Sequence, residues 1–516
     1  RFACCRACAH RSRLFIKALG MSYTLGIDIG TFETKGVLVD AAGVVIETAR
    51  HRHEMIVPQP GWAEHRPLVD WWGDFVKVTK ELIANAGCAS EQIKAIACSA
   101  IGPCMLPVDA NDAPLMNGVL YGVDTRAIAQ VEALTARIGE DLILERCGNA
   151  LTSQSVGPKI LWLKEKRPDL YAKTAKILTS TSFLVQRLTG EYVIDHYTAA
   201  NFSPIYDVGT QDWCFDLGPE IATPEMLPRL LWSSEIAGYV TKEAAEATGL
   251  AIGTPVTAGT IDAAAEALSV GVESPGDMMM MYGSTIFIIT LTQDRVRDGR
   301  LWYAPWLFPG QHASMAGLAT SGTLTHWFRD QFARDLPRDT AFTTLASEAD
   351  KVPPGSEGLL FLPYFSGERT PIHDPQAKGA FFGLNLTHTR GHMYRALIEG
   401  IAFGTAHVVE TYRKAGVGLD RILAVGGGTK NLLWMQAISD TSQVDQFVCE
   451  KTVGASYGDA FLARVALGEA QLADIGHWNP IATKITAAQN PAYEKNYALF
   501  RRLYEQTKDI AKELSS

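Results

Sequence analysis

The chain has 516 residues, a mass of 56.2 kDa, a formal net charge of −9, 47% hydrophobic and 20% charged residues and a mean hydropathy of +0.02. That length exceeds what one core usually organises, so two domains are expected, and no apolar run is long enough to span a bilayer. Lys and Arg are not clustered beyond the first residues, which argues against a nucleic-acid partner, and nine scattered cysteines, an odd number, suit a reducing cytoplasm better than a disulfide framework.

Residues 1–20 hold five Lys or Arg and no acid, and read as an unstructured leader or translated upstream sequence ahead of Met21. Cys5 and Cys8 lack the second pair that a zinc site needs. From Tyr23 the pattern becomes regular. Tyr23 to Gly30, Lys35 to Asp40 and Val44 to Thr48 predict three strands in hairpin succession. The first turn carries Asp28, Gly30, Thr31 and Thr34: a glycine admits an anion to the backbone, the hydroxyls can bond it, and Asp28 can hold Mg²⁺ directly or through water. A polar hairpin turn explains Gly-Thr equally well.

Leu68 to Ala86 has helical spacing, after a rigid loop that offers Trp62 and Glu64 as site candidates. Ile93 to Cys98 predicts a strand ending in the loop of Gly102 and Cys104, the kind of strand end that lines ligand sites in open sheets. Asp124 and Arg126 follow another apolar run, where they suit either a polyhydroxylated substrate or a surface salt bridge. Helices are expected from Gln154 and over Thr179 to Thr189.

At Thr254 to Leu268 an apolar strand breaks at Gly259-Thr260 and an alanine-rich helix begins. Asp262 at that break suits a helix cap as well as a catalytic carboxylate, and the unpaired N–H groups of a helix start suit phosphate. A second hairpin follows, Met278 to Tyr282 and Ile286 to Thr290 around Gly283, Ser284 and Thr285. This repetition of strand, Gly-Ser/Thr turn and strand points to two similar halves, residues 21–271 and 272–516, with a nucleotide between them. Gly322 opens a helix, His392 to Tyr412 is a longer one, and Gly426, Gly427 and Gly428 lead from a strand to Asn431 and another helix, where a flat ligand or phosphate can approach the backbone.

Gly26-Ile-Asp28-Ile-Gly30-Thr31, Ala258-Gly-Thr-Ile-Asp262, Gly367-Glu-Arg-Thr-Pro371 with Asp374-Pro375 and Gly379, and Gly426-Gly-Gly-Thr-Lys-Asn431 with Met435-Gln436 together resemble the FGGY carbohydrate kinases, most nearly their xylulokinase-like branch. The resemblance implies an α/β fold of two actin-like, ribonuclease H-like ATPase domains hinged around a central nucleotide and sugar cleft. It also implies ATP and Mg²⁺, with transfer of the γ-phosphoryl group to a sugar or polyol hydroxyl. By motif, Asp262 is the expected base and Asp28 the Mg²⁺-organising carboxylate. Thr31, Gly259, Thr260, Ser284 and Thr285 are expected at the phosphates, Gly322 beside the nucleotide, and Gly427, Gly428 and Asn431 at its adenosine half. Trp62, Gly102, Cys104, Asp124 and Arg126 are expected at the sugar with Asp262. A helix N-terminus should lower the pKa of Asp262. The chain departs from typical xylulokinases at Ile101 to Cys104, Tyr121 to Asp124, Gln154 and Val156, so D-xylulose is the first choice beside another ketose or a polyol such as ribulose, erythritol or glycerol. The other expectations are a cytoplasmic protein, no membrane or nucleic-acid partner, and a homodimer as one option. A non-kinase ATPase on the same fold is the rival class.

Overall fold

The structure, a computed structural model, describes residues 22–515, so the expected leader lies outside the described residues. The chain packs as two units. The first takes residues up to Gly271 together with Ala304–Gln311 and Val453–Asn479; the second takes Val272–Tyr303, His312–Thr452 and the chain from Pro480. Relative to the expected blocks 21–271 and 272–516, these two later segments pack with the first unit.

In the first unit β1 (Tyr23–Ile29), β2 (Glu33–Asp40) and β3 (Val45–Arg52) form an antiparallel meander. All seven residues of β1 are buried, as suits a strand covered on both faces. The helical spacing after Pro67 becomes one π turn, Pro67–Trp71, and then α1 (Trp72–Ala86), which buries Phe75, Val78 and Leu82. On the other side of β1, β4 (Ile93–Ala100) runs parallel, with Ser99 opposite Asp28. α2 (Val156–Lys166) and α3 (Ser180–Thr189) follow; the Thr179 side chain caps α3 by accepting from Ser182 N, and Gly190 ends it in the left-handed region. β5 (Ile236–Tyr239) is antiparallel to β6 (Pro255–Thr257), while β6 and the short β7 (Thr260–Ile261) both pair parallel with β4. β7 runs directly into α4 (Asp262–Ser269).

The second unit repeats the plan. β8 (Asp277–Tyr282), β9 (Ile286–Thr292) and β10 (His312–Leu318) are an antiparallel meander, followed by α5 (Gly322–Phe332) and the long α6 (Arg390–Lys414). β11 (Arg421–Val425) pairs parallel with β8, and after α7 (Leu432–Ser442), β12 (Gln446–Cys449) pairs parallel with β11. The chain then enters the first unit as α8 (Ala455–Ala466) before β13 (Ile481–Ile485) closes the second sheet antiparallel to β12; α9 (Pro491–Glu513) ends it. Each sheet thus runs from a meander through two parallel strands to an antiparallel edge, so the repeated hairpin in the sequence marks a repeated topology.

Backbone contact sets α8 in place. A Cβ on Gly26 of β1 would stand 1.9 Å from Ser456 O, and one on Gly458 would stand 1.9 Å from Ala265 O of α4. Only glycine permits such approach, and the result carries Asp459 of α8 to the end of β1.

Candidate active site

Asp28 lies near the end of β1, buried, beside Ser99 of β4. Ser99 Oγ is 2.7 Å from Asp459 Oδ2 and 3.5 Å from Asp28 Oδ1. Asp262 is the first residue of α4 and remains partly exposed; extended Ile261 precedes it, and Asp262 Oδ1 accepts from Ala263 N at 2.7 Å. Glu266 follows one turn later on the same face. Lys35 of β2, opposite Asp28 in register, is the cation facing this group, and it also lies 3.3 Å from Glu33.

Carboxyls outnumber cations here, and burial sets their protonation. Burial pushes Asp262 up to about 6, against the pull of Ala263 N–H and Lys35. It pushes Glu266 up to about 7, with Lys35 opposing and Asp262 adding to the rise. Burial first, and then the negative charge of Asp262, holds Asp28 well above the usual carboxylate range. Asp459 is likewise raised by burial, with Ser99 opposing and Asp28 adding. The expectation that a helix N-terminus would lower the pKa of Asp262 is therefore corrected: loss of water outweighs a terminus already engaged by one short hydrogen bond. A value near 6 still leaves Asp262 mainly ionised at pH 7.

Mutually repelling carboxyls with Lys35 as their counter-charge suit a divalent cation. No group of three or more His, Cys, Asp or Glu among the described residues is arranged to hold a metal by itself.

The expected phosphate residues of the first unit fare differently. Thr31 Oγ1 lies 3.3 Å from Tyr121 Oη at the partly exposed β1–β2 turn. Gly259 has φ +71°, and a Cβ there would stand 2.2 Å from Cys98 O, so packing against β4 is enough to require it. Thr260 is fully buried: its hydroxyl donates to Asp195 Oδ2 at 2.9 Å and its carbonyl accepts from Thr181 Oγ1 at 2.8 Å. The side chain of Thr260, a residue expected at the phosphates, is thus engaged in anchoring the strand-to-helix junction that presents Asp262.

The expected sugar residues also need sorting. Asp124 and Arg126 are buried together rather than forming a surface pair. Arg126 Nη2 donates to Asp124 Oδ2 and to Glu64 Oε1, each at 2.8 Å, and Asp124 Oδ2 accepts from Ala63 N at 2.7 Å. The guanidinium stacks 3.9 Å from the Trp62 ring and 5.0 Å from that of Trp162. Direct sugar contact by Asp124 is thus corrected to a supporting role, and Trp62, partly exposed, is what this cluster presents outward. Cys104 is fully buried, donates to Ile101 O at 3.3 Å and is pushed up to about 12 by burial, so the expected substrate contact there is also corrected. Gly102 packs below β7, where a Cβ would meet Ile261 Cγ1 at 2.9 Å.

Two residues outside the expected set hold this wall. Gln154 Oε1 accepts from Gly122 N at 3.1 Å. Lys159, buried in α2 and pushed down to about 8 by that burial, donates to Leu120 O at 2.6 Å and Tyr121 O at 3.1 Å. A lysine set within the apolar first turns of a helix, ahead of Ile160, Leu161 and Trp162, was the signal available for it.

In the second unit a cavity of about 580 Å³ is lined by Tyr282, Phe342, Tyr394 and Trp434 and by Ser284, Gly322, Gly427, Gly428 and Asn431, within the range of small-ligand pockets. A Cβ on Gly428 would stand 2.7 Å from the Trp434 ring, whereas one on Gly427 would meet nothing within 4 Å. Asn431 caps α7 by accepting from Trp434 N at 3.2 Å, and Gly322 N donates to Gly283 O at 3.0 Å. Thr285 is not among the lining residues; its carbonyl closes the hairpin by accepting from Gly283 N. Aromatic walls beside exposed glycine backbone suit a flat base with a polar tail.

Sequence profiles described as the N- and C-terminal domains of the FGGY family of carbohydrate kinases match residues 23–269 and 278–467. The chain is 30% identical to a xylulose kinase of Lactococcus lactis and 28% identical to one of Bacillus subtilis, each alignment covering 96% of this chain and 99% of the relative. Its structure resembles a crystal structure of xylulose kinase from Rhodospirillum rubrum with a TM-score of 0.89 at 30% identity, covering 95% of this chain and 100% of that one.

Proposed function

Since the chain belongs to the FGGY family of carbohydrate kinases, and so is a sugar phosphotransferase, we propose that it transfers the γ-phosphoryl group of ATP to a hydroxyl of D-xylulose, giving D-xylulose 5-phosphate. The observation that carries this reading is Asp262, a partly exposed carboxylate fixed at the start of α4 with a pKa near 6. Phosphoryl transfer asks little covalent help of a protein; it asks for positioning, charge neutralisation and one group to take the hydroxyl proton. Asp262 takes that proton as the oxygen attacks, and its raised pKa makes it a stronger acceptor than an ordinary aspartate while leaving it ionised at neutral pH.

Lys35 steadies the ionised forms of Asp28, Asp262 and Glu266. Asp28 would organise Mg²⁺, which supplies charge neutralisation at the phosphates. The first unit offers the sugar Trp62 and the wall held by Gln154 and Lys159; the second offers ATP the aromatic cavity and its glycines. A second reading keeps the kinase and changes the acceptor to another ketose or polyol, and the departures at Ile101 to Cys104 favour it.

The test is a coupled ADP-release assay over D-xylulose, L-xylulose, ribulose, erythritol and glycerol. D-xylulose should give the highest kcat/KM, with Asp262→Asn lowering kcat at least about a thousandfold. A folded Asp262→Asn variant that phosphorylates at the wild-type rate removes Asp262 as base, and a higher kcat/KM for another acceptor replaces D-xylulose.

A further inference from the structure

Two buried histidines meet the tip of the β1–β2 turn from below. His53, at the end of β3, places Nε2 3.0 Å from Gly30 O and Nδ1 3.0 Å from Asp74 Oδ2. His65 places Nε2 3.0 Å from Thr31 O, while its Nδ1 accepts from Trp71 Nε1 at 3.1 Å. The two rings meet edge to face with centroids 4.9 Å apart, and their side chains are 2% exposed for His53 and buried for His65.

Hydrogen-bond chemistry fixes the state of the His65 ring. An indole N–H only donates, so His65 Nδ1 is the bare nitrogen and Nε2–H donates to Thr31 O. Burial pushes His65 down to about 4, which keeps it in that neutral form. His53 faces an oxygen at each nitrogen, Asp74 Oδ2 at Nδ1 and Gly30 O at Nε2, so the ring bridges α1 to the turn. The charged and titratable groups around it are Asp74 and Lys77 of α1, with Lys77 Nζ 3.1 Å from Asp74 Oδ1, His51 of β3, 2.9 Å from the same oxygen, and His65.

The peptides after Gly30 and Thr31 are trans, so each planar unit points its N–H opposite to its C=O. With both carbonyls drawn toward the imidazoles, the amides of Thr31 and Phe32 face the other way, and neither has a hydrogen-bond partner among the described residues. Successive amides so turned make an anion-binding concavity. We propose that His53 and His65 are positioning residues that clamp the Gly30 and Thr31 carbonyls and thereby hold the Thr31 and Phe32 amides toward a phosphate oxygen of the nucleotide. This rests on the kinase reading given above and adds to it what orients the turn.

The experiment compares His53→Phe, His65→Phe, His65→Gln and His51→Gln in the full-length protein, measuring KM for ATP and for sugar, calorimetric affinity for a non-hydrolysable ATP analogue, and melting temperature. Each Phe variant should weaken analogue affinity and raise KM for ATP about tenfold, with the sugar KM within about twofold. His65→Gln keeps a side-chain N–H for Thr31 O and should restore most of the loss. His51→Gln, next to Asp74 but bonded to neither turn carbonyl, should match wild type.

Folded Phe variants with unchanged analogue affinity overturn the proposal, as does an equal loss for sugar and nucleotide, which marks a merely structural role. Should the Phe variants not fold, nitrogen-15 NMR of the wild-type imidazoles decides. Saturation with the analogue should move the Nε2 signals of both histidines, and unmoved signals overturn the clamp. Failure of the kinase reading shows separately, as wild-type protein that phosphorylates no sugar.

Discussion

Asp262→Asn should abolish turnover and stabilise the protein at the same time. The wild-type carboxyl titrates near 6 in the fold and near 3.8 when unfolded. A raised folded value means that the native state binds the proton more tightly, so its contribution to stability is lost as pH rises from 3.8 through 6. At about 1.4 kcal/mol per pH unit, ionising Asp262 in place costs the native state up to about 3 kcal/mol at pH 7. Asparagine has nearly the same shape, keeps an oxygen for Ala263 N and carries no charge, so it removes that cost and relieves the repulsion felt by Asp28 and Glu266. Urea unfolding, followed by fluorescence and circular dichroism at pH 7.5 and pH 4, should show the variant more stable by about 1–3 kcal/mol at the higher pH, with the gain shrinking at the lower one. In parallel, wild-type kcat should fall about tenfold per pH unit below about 6. A variant less stable than wild type at pH 7.5 would refute the argument, because it would mean that the charge at the start of α4 stabilises the fold as an ordinary helix-terminal acid does.

Gly428→Val should raise KM for ATP at least about tenfold by filling the space against Trp434, whereas Gly427→Ala should change it less than about twofold; calorimetry with an ATP analogue separates them. Gly26→Ala should destabilise the first unit by more than about 3 kcal/mol, read as a large drop in melting temperature, since its methyl would overlap Ser456 O. Arg126→Met leaves Asp124 and Glu64 buried without their partner and should cost about 3–5 kcal/mol in urea unfolding. Trp62→Ala should raise the sugar KM about tenfold while KM for ATP stays within about twofold, which steady-state kinetics with each substrate varied will check.

Local chemistry made much of this legible in the sequence. The strand at Tyr23, the two Gly-Ser/Thr hairpins, the helices closed by glycine and the position of Asp262 all follow from periodicity and turn residues within a few positions of each other. What stayed hidden depends on distant partners. Thr260 looks available until Asp195, which accepts its hydroxyl proton, is seen beside it. Asp124 and Arg126 look like a site until Glu64 and two tryptophans close over them. The pKa of Asp262 moved opposite to expectation because burial is a property of the packed unit, which the helix terminus alone does not reveal. His53 and His65 carry no motif spacing that marks them; only register and turn geometry bring both to one tip.

The late arrival of α8 bears on how the protein is made. β1 leaves the ribosome well before the helix against which Gly26 packs, which is encoded more than four hundred residues later. Until then the nascent first unit exposes a bare stripe of strand and helix around Gly26 and Ala265. Its synthesis therefore resembles closing a clasp at the last step. A ribosome stalled before residue 455 would release a chain with both meanders but without Asp459 behind Asp28 and without its cover over β1, a natural target for chaperones and proteases.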